Sequence, residues 1–399
     1  MVVANGNYSP DVPTKNKSYP SFNGNTLSPI TNSIINLDQG DPVVFGPYWK
    51  KRSDEYSVVI KGNDSMSYMS DPSNVCWFML PETKDAIKRI HSLVGNAVIE
   101  DKHIVVGTGS TQLFLAALFA LSPSDSPQPI NVVAQAPYYS EYQDQIGFLS
   151  SKVFQWGGDA AVYDKNEPYI EIVCSPNNPD GVIQKPVVKS DAKGKLIHDF
   201  AYYWPQYTPI THKADHDIML FTFSKCTGHA GSRVGWAIVK DVEVARKMTR
   251  FIQLSSIGVA RESQTRLVKI IGGLCDSYIN FGSTQSELFF HYGKRRLRER
   301  WEKLRAAIEQ SKVFTAAKFP RAYCNFTNES SETYPGFAWL KCVEGIEDAK
   351  SYLRKLNILV REGNRFCAGQ NYVRVSLLGP DEVFNELLAR LSNAKRYVA

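Results

Sequence analysis

The sequence lacks the features that mark several large classes of protein. Its seven cysteines show no C-x-x-C spacing and its seven histidines show no H-E-x-x-H pattern, so neither a disulfide framework nor a metal site is expected. No apolar run is long enough to span a membrane. The net charge of +6 is small for 399 residues, which gives little support to nucleic-acid binding. These absences favour a cytoplasmic protein that acts on small molecules.

The beginning of the chain is also poor in apolar side chains. It is rich in Asn, Ser, Pro and Lys and lacks the apolar core of a secretion signal. A segment of such low hydrophobicity cannot bury a core. We therefore expect a flexible arm over residues 1–33.

The rest of the chain has the material for a large core, since 43% of the residues are apolar. Short apolar runs recur and alternate in part with helical patterns, such as the one at 111–121. Such runs favour buried strands of a mostly parallel sheet with helices on its faces. The runs are Ile104–Val106, Val132–Ala134, Ile170–Cys174, Leu196–His198, Met219–Phe223 and Trp236–Val239.

The pattern of apolar and charged residues changes near residue 295. A long charged helical pattern there is followed by shorter strands and a final amphipathic helix. A chain of this length suits two lobes. We expect an α/β fold with a large domain over 61–295 and a smaller α/β domain over 296–399. The segment 34–60 is expected to pack with the smaller domain.

Polar motifs follow several of the expected strands. Glycines at Gly107–Thr111 precede a helix, a place that suits a phosphate, although such glycines also occur in plain turns. The turn Ser175–Gly181 and the carboxylate of Asp199 end two further strands, where α/β sheets bind ligands. Lys225 follows an apolar strand, and desolvation would make its amine a nucleophile. Taken singly, these residues are better explained as a turn, a helix cap and a loop lysine.

Taken together and in chain order, the motifs resemble those of fold-type I enzymes that use pyridoxal 5′-phosphate (PLP), the aminotransferase superfamily. They are S-P-N-N-P-D-G from Ser175, D-x-x-Y from Asp199, S-K-x(7)-R-x-G-W from Ser224 and Y-V-R-V-S from Tyr372. Four motifs at sensible spacings are far more specific than any one. The resemblance covers about residues 36–395.

Two stretches narrow the resemblance to the plant alliinase-related group. They are 198–205 and 223–233. Within this group the chain is most similar to enzymes that transaminate L-tryptophan with pyruvate in auxin biosynthesis. The cysteine-rich segment and the secretory signal usual in the alliinase branch are not seen in the sequence, which favours the transaminase.

The resemblance implies roles for the residues around the PLP ring. Lys225 would hold the cofactor as a Schiff base and then move a proton at the substrate Cα. Asp199 would pair with the pyridine nitrogen, and Tyr202 and Asn178 would hydrogen-bond the ring oxygen. Tyr139 matches the residue that stacks on the ring.

Tyr138 is the alternative to Tyr139 for ring stacking. The resemblance also implies a phosphate site, and it implies a homodimer because Tyr68 matches a tyrosine that reaches the phosphate of the other subunit. The other residues assigned to the phosphate are Gly109, Ser110, Thr111, Thr222 or Ser224, and Arg233.

Arg374 matches the arginine that grips the substrate α-carboxylate, a task that suits a planar guanidinium. Arg361 and Arg365 lie close in sequence and are rivals for this role. Gly40 matches a small residue near the same carboxylate.

The resemblance thus implies an amino acid and a 2-oxo acid as small-molecule partners, with indole-3-pyruvate and alanine as products. One alternative is a carbon–sulfur β-lyase of the alliinase type, because both reactions begin by removing the Cα proton. Another is an aminotransferase that prefers phenylalanine or tyrosine. A third is a binding protein that kept the fold and lost catalysis.

Overall fold

The computed structural model describes residues 33–123, 127–190, 193–280 and 285–394. Apart from Ser33, the arm predicted for 1–33 lies outside the described residues. The strands are β1 Ile35–Asn36, β2 His103–Gly107, β3 Ile130–Ala134, β4 Phe154–Asp159, β5 Tyr169–Cys174, β6 Gly194–Asp199, β7 Ile218–Thr222, β8 Gly235–Val239, β9 Phe314–Ala316, β10 Ala322–Cys324, β11 Glu329–Ser331, β12 Phe337–Cys342, β13 Ile358–Leu359, β14 Arg361–Glu362 and β15 Tyr372–Ser376. The helices are α1 Gly46–Lys51, α2 Pro81–Val94, α3 Gly109–Leu121, α4 Ser140–Leu149, α5 Phe223–Cys226, α6 Val242–Ser256, α7 Arg261–Asn280, α8 Phe289–Ser311, α9 Ala349–Lys355 and α10 Asp381–Ser392.

The main sheet has seven strands in the order β2-β8-β7-β6-β5-β3-β4. The strands from β4 to β7 run parallel, whereas β8 is antiparallel to both of its neighbours. All residues of β3, β5, β7 and β8 are buried, as expected for strands covered on both faces. The predicted α/β class with a mostly parallel sheet is confirmed.

The edge strand β4 was not predicted from the sequence. It contains Gly157 and Gly158, pairs only with β3 among the described strands, and carries a bulge against Val132–Val133. Glycine and polar residues interrupt the apolar pattern that reveals a central strand.

Helices cover the faces of this sheet. The mainly apolar helix α3 packs against α6 and β8, and α2 packs against α7. Helix α6 begins after Asp241, whose carboxylate accepts hydrogen bonds from two backbone N–H groups of the first turn. Among the described helices, none is long and apolar enough to cross a membrane.

A second, antiparallel sheet has the order β14-β15-β12-β9, and α8 and α10 pack together beside it. The early strand β1 pairs with β13, and the Leu37 carbonyl accepts from the backbone N–H of Ser376. The start of the described chain is therefore held by its last third. The boundary predicted near residue 295 falls within α8 and stays a prediction.

Candidate active site

A cavity of about 390 Å³ lies where the carboxyl ends of β5, β6 and β7 face β15 and the segment after β1. It gathers residues from most of the predicted motifs. The predicted residues in its lining are Gly40, Ser110, Thr111, Tyr139, Asn178, Asp199, Tyr202, Thr222, Ser224, Lys225, Arg233 and Arg374. Of the other predicted residues, Gly109 lies next to the Arg233 guanidinium but does not line the cavity, and Tyr68 is not among the lining residues.

Lys225 stands on the short helix α5, which the Thr222 hydroxyl caps by accepting from the Ser224 N–H at 3.2 Å. Its amine donates to the Gly40 carbonyl and lies 5.8 Å from the centre of the Tyr202 ring. Desolvation, assisted by the positive charge of Arg374, lowers the pKa of this amine from 10.5 to about 8. Roughly a tenth of the amine is therefore neutral and nucleophilic at pH 7, far more than of a free lysine.

Asp199 ends β6 and is buried. One carboxylate oxygen accepts from the Tyr142 hydroxyl at 2.7 Å and the other from the Ala201 N–H at 3.0 Å. In the described part of the chain no cationic side chain forms an ion pair with it, and burial raises its pKa. Burying a carboxylate without an opposite charge costs free energy, so a positively charged ligand group beside Asp199 would be favoured.

Tyr142 was not predicted as a site residue. It projects from α4 and is buried, and its ring packs edge-on against Tyr139 at 5.4 Å between centroids. Its position one helical turn after Tyr139 was the available signal. Tyr138, the alternative to Tyr139, does not line the cavity and packs against Trp156.

The start of α3 forms a cradle with Arg233. A Cβ on Gly109 would lie 2.6 Å from the Arg233 guanidinium, and one on Gly235 would lie 2.6 Å from the backbone nitrogen of Ser110. Both glycines are therefore required by close approach. The N-cap residue Thr108 makes no side-chain cap, so the helix end presents N–H groups beside a guanidinium, an arrangement suited to a phosphate.

Arg374 is 2% exposed and projects from β15. Its guanidinium donates to the Asn178 side-chain oxygen at 3.0 Å and to the Asp38 carbonyl at 2.6 Å, and it lies 4.0 Å from the centre of the Phe337 ring. Its Nε atom is buried without a partner. Desolvation and the nearby Arg361 lower its pKa to about 10. The buried Arg374 guanidinium is therefore bound only by neutral acceptors. An anionic ligand beside it would be favoured, because it would compensate the buried positive charge.

The two rival arginines are engaged elsewhere. Arg361 also lines the cavity, but it is bound by the carboxylates of Asp38 at 2.6 Å and Glu141 at 2.9 Å. Arg365 pairs with Asp144 and does not line the cavity. Glu141 was not singled out in the sequence, because a carboxylate on a helix is usually a solvated surface group.

Tyr68 is 62% exposed and packs edge-on against Trp77. Its predicted contact with the other subunit of a homodimer stays a prediction.

The chain is similar in sequence and in fold to several known proteins. The Alliinase_C family model, described as allinase, matches residues 35–395. Tryptophan aminotransferase-related protein 2 of Oryza sativa subsp. japonica is 48% identical over 377 residues, which cover 92% of this chain and 74% of that protein. Alliin lyase of Allium cepa var. aggregatum is 38% identical over 370 residues, covering 90% and 81%. Aspartate aminotransferase of Thermus thermophilus with maleate has a TM-score of 0.64 at 16% identity, covering 90% and 91%. The last similarity concerns the fold.

Proposed function

The chain belongs to the alliinase family, and we propose on that premise that it is a PLP-dependent aminotransferase that converts L-tryptophan and pyruvate to indole-3-pyruvate and alanine. The observation that carries the proposal is the desolvated Lys225 amine, which lines one cavity with the buried carboxylate of Asp199 and the buried guanidinium of Arg374. The greater identity to the tryptophan aminotransferase-related protein than to alliin lyase supports the choice of reaction.

The residues of the cavity fit PLP. The cradle of Gly109, Ser110 and Arg233 would hold its phosphate, and the unpaired carboxylate of Asp199 would hold the pyridine nitrogen in its protonated form. Bound PLP supplies the electron sink that acidifies the Cα–H bond of an amino acid. Tyr139, which lines the same cavity, would limit the tilt of the ring.

Lys225 would first anchor the cofactor and then act as the proton carrier. Its neutral amine would accept the proton from the substrate Cα, and the resulting ammonium would release that proton again within the site. The lowered pKa of this amine supports both directions, because desolvation brings its charged and neutral states closer in free energy. Tyr202 and Asn178 would hydrogen-bond the ring oxygen.

Arg374 would bind the α-carboxylate of donor and acceptor. Its two terminal nitrogens hold the Asn178 oxygen and the Asp38 carbonyl, so the guanidinium plane is set before substrate arrives. Gly40 packs closely on the Phe337 ring beside Arg374, because a Cβ there would lie 2.8 Å from that ring and 3.6 Å from the Lys225 amine. A carboxylate held in this way fixes the direction of the Cα–H bond.

We propose further that the active unit is a homodimer in which Tyr68 reaches the phosphate site of the other subunit. The 62% exposure of Tyr68, together with its exposed neighbours Met66 and Met69, supports an interface there. The location in the cytoplasm and the role in auxin synthesis stay predictions.

A donor and acceptor screen tests the proposed reaction. Purified protein with PLP, tryptophan and pyruvate is expected to form indole-3-pyruvate and alanine in equal amounts. Pyruvate and ammonia released from an S-alkylcysteine sulfoxide without any 2-oxo acid would establish the β-lyase instead. A preference for phenylalanine or tyrosine would overturn the choice of donor.

A further inference from the structure

Two arginines stand side by side on one face of the small sheet. Arg361 and Arg374 are cross-strand partners in the antiparallel pair β14–β15, so their side chains leave the sheet on the same side. Both line the active-site cavity. Without other charged partners, such a pair of arginines would suit a substrate with two carboxylates, one for each guanidinium.

The two guanidinium groups have opposite surroundings. Arg374 is bound by the neutral Asn178 amide and the Asp38 carbonyl, and its Nε is unpartnered. Arg361 is clamped between the carboxylates of Asp38 and Glu141. Asp38 therefore joins both arginines, offering its carbonyl to Arg374 and its carboxylate to Arg361.

The charge balance follows from these contacts. The cluster of Asp38, Glu141 and Arg361 carries two formal negative charges and one positive charge, and Glu141 and Arg361 are in the cavity wall. A carboxylate that enters is attracted by Arg374, whereas a second carboxylate that approaches Arg361 finds its positive charge already neutralised by Glu141 in the cavity wall and by Asp38, which does not line the cavity. Like-charge contacts of this kind reject wrong partners more than they strengthen right ones.

We propose that Glu141 is a specificity-determining residue that excludes dicarboxylic amino acids and dicarboxylic 2-oxo acids by occupying Arg361. The enzyme then accepts substrates with a single carboxylate and an uncharged remainder. This inference deepens the proposed function and rests on it for the role of Arg374 as the α-carboxylate site.

Binding of a matched pair of unreactive acids tests the inference without turnover. Succinate and butyrate have the same carbon skeleton and differ by one carboxylate. Their dissociation constants are measured by calorimetry on the PLP-loaded protein. In Glu141→Gln we expect succinate to bind about tenfold more tightly relative to butyrate, because one repelling charge is lost and Arg361 is partly released. The ratio of kcat/KM for 2-oxoglutarate to that for pyruvate should rise by a similar factor.

Asp144→Asn is the matched control. It removes the same charge from the same helix and from an ion pair with the neighbouring Arg365, but Asp144 does not line the cavity. An equal shift in this variant would show a general charge effect and overturn the proposal. Glu141→Asp, which keeps the charge, is expected to retain the selectivity of the unaltered protein.

Asp38→Asn provides a second route if Glu141→Gln does not fold. This substitution removes the other carboxylate bound to Arg361. It should therefore shift the ratio of the dissociation constants of succinate and butyrate in the same direction. An unchanged ratio in the folded variants overturns the inference. Failure of the unaltered protein to transaminate tryptophan, with the acid selectivity intact, counts against the proposed function alone.

Discussion

The two halves of the cavity are built in different ways. In the half assigned to the cofactor, Asn178, Asp199 and Lys225 follow neighbouring strands of the main sheet, and Cys174 and Asp199 are direct cross-strand partners. In the half assigned to the substrate, Arg374 and Arg361 project from the small sheet and are held by side-chain contacts to the segment after β1.

This difference separates chemistry from selection. Groups at the ends of buried strands are positioned by backbone ladders, which persist when a side chain is changed. Guanidinium groups that are oriented by contacts of their own side chains, as those of Arg374 and Arg361 are, change their surroundings when a partner is removed. Substitutions in the cofactor half should therefore lower kcat, and those in the substrate half should mainly raise KM or alter selectivity.

Lys225→Ala should give the largest effect. Without the amine there is neither an anchor nor a proton carrier, and we expect kcat to fall by about 10³-fold or more, toward the upper end of what a positioned acid–base group contributes. The absorption band of lysine-bound PLP should also be lost. Lys240→Ala, at the exposed ion pair with Asp217, is the control and should retain both. Substantial turnover in Lys225→Ala would contradict the assignment.

Asp199→Asn should come next. The amide keeps the shape of the side chain but provides no charge to stabilise a protonated pyridine, so we expect kcat to fall roughly 10²-fold with PLP still bound. Steady-state kinetics and the amount of retained PLP check this result. Asp217→Asn, on an 81% exposed side chain, should be silent. A change in KM alone would show that Asp199 acts on the substrate and contradict its assignment to the cofactor half.

Arg374→Lys tests the substrate half. Lysine keeps the charge but loses the fork and the bond to Asn178, so KM for tryptophan should rise by about tenfold or more, while kcat changes less. Arg365→Lys, on the ion pair with Asp144 outside the cavity lining, should leave both constants near their original values. A loss confined to kcat would show that Arg374 does not bind the ground-state carboxylate.

The sequence was informative about the two halves to different degrees. Lys225, Asp199 and Asn178 could be singled out as candidates because each lies at or just after the end of an apolar strand, and the ends of parallel strands meet at one edge, although their roles came from the family resemblance. Arg374 could be proposed only through the family resemblance, with Arg361 as a rival, and the ion pairs of Arg361 with Asp38 and Glu141 could not be predicted. Ion pairs between residues more than 200 positions apart leave no local pattern.

Tyr142 and Glu141 show a second limit. Both lie on α4, where one is buried against Asp199 and the other faces the cavity. Helical periodicity separates the faces of a helix, but it does not reveal which chemical group each face meets. The antiparallel direction of β8 was likewise unreadable, because a buried strand has the same composition in either direction.

The pH dependence of cofactor attachment should report the desolvation of Lys225. Only the neutral amine attacks, and its pKa is lowered from 10.5 to about 8. The rate of PLP attachment to the apoprotein should therefore rise about tenfold per pH unit below pH 8 and level off above it. Stopped-flow absorbance between pH 6.5 and 10 measures the profile. A rise that continues to pH 10 would mean that the amine is solvated as in a free lysine.

Tyr142→Phe should give the smallest effect and the sharpest view of the boundary between the halves. The phenol donates one of the two hydrogen bonds to the Asp199 carboxylate, and only the part of that bond that strengthens in the transition state affects kcat, so we expect a roughly three- to tenfold loss. Loss of the donor also makes the carboxylate a stronger base, which should shift the pH at which the band of lysine-bound PLP changes.

Tyr163→Phe, outside the cavity lining, controls for removal of a buried hydroxyl. If Tyr142→Phe lowers kcat as much as Asp199→Asn, the phenol itself takes part in the chemistry. If it changes neither kcat nor the spectrum, Asp199 is held by its backbone contact to Ala201, and the cofactor half is positioned by the main chain alone.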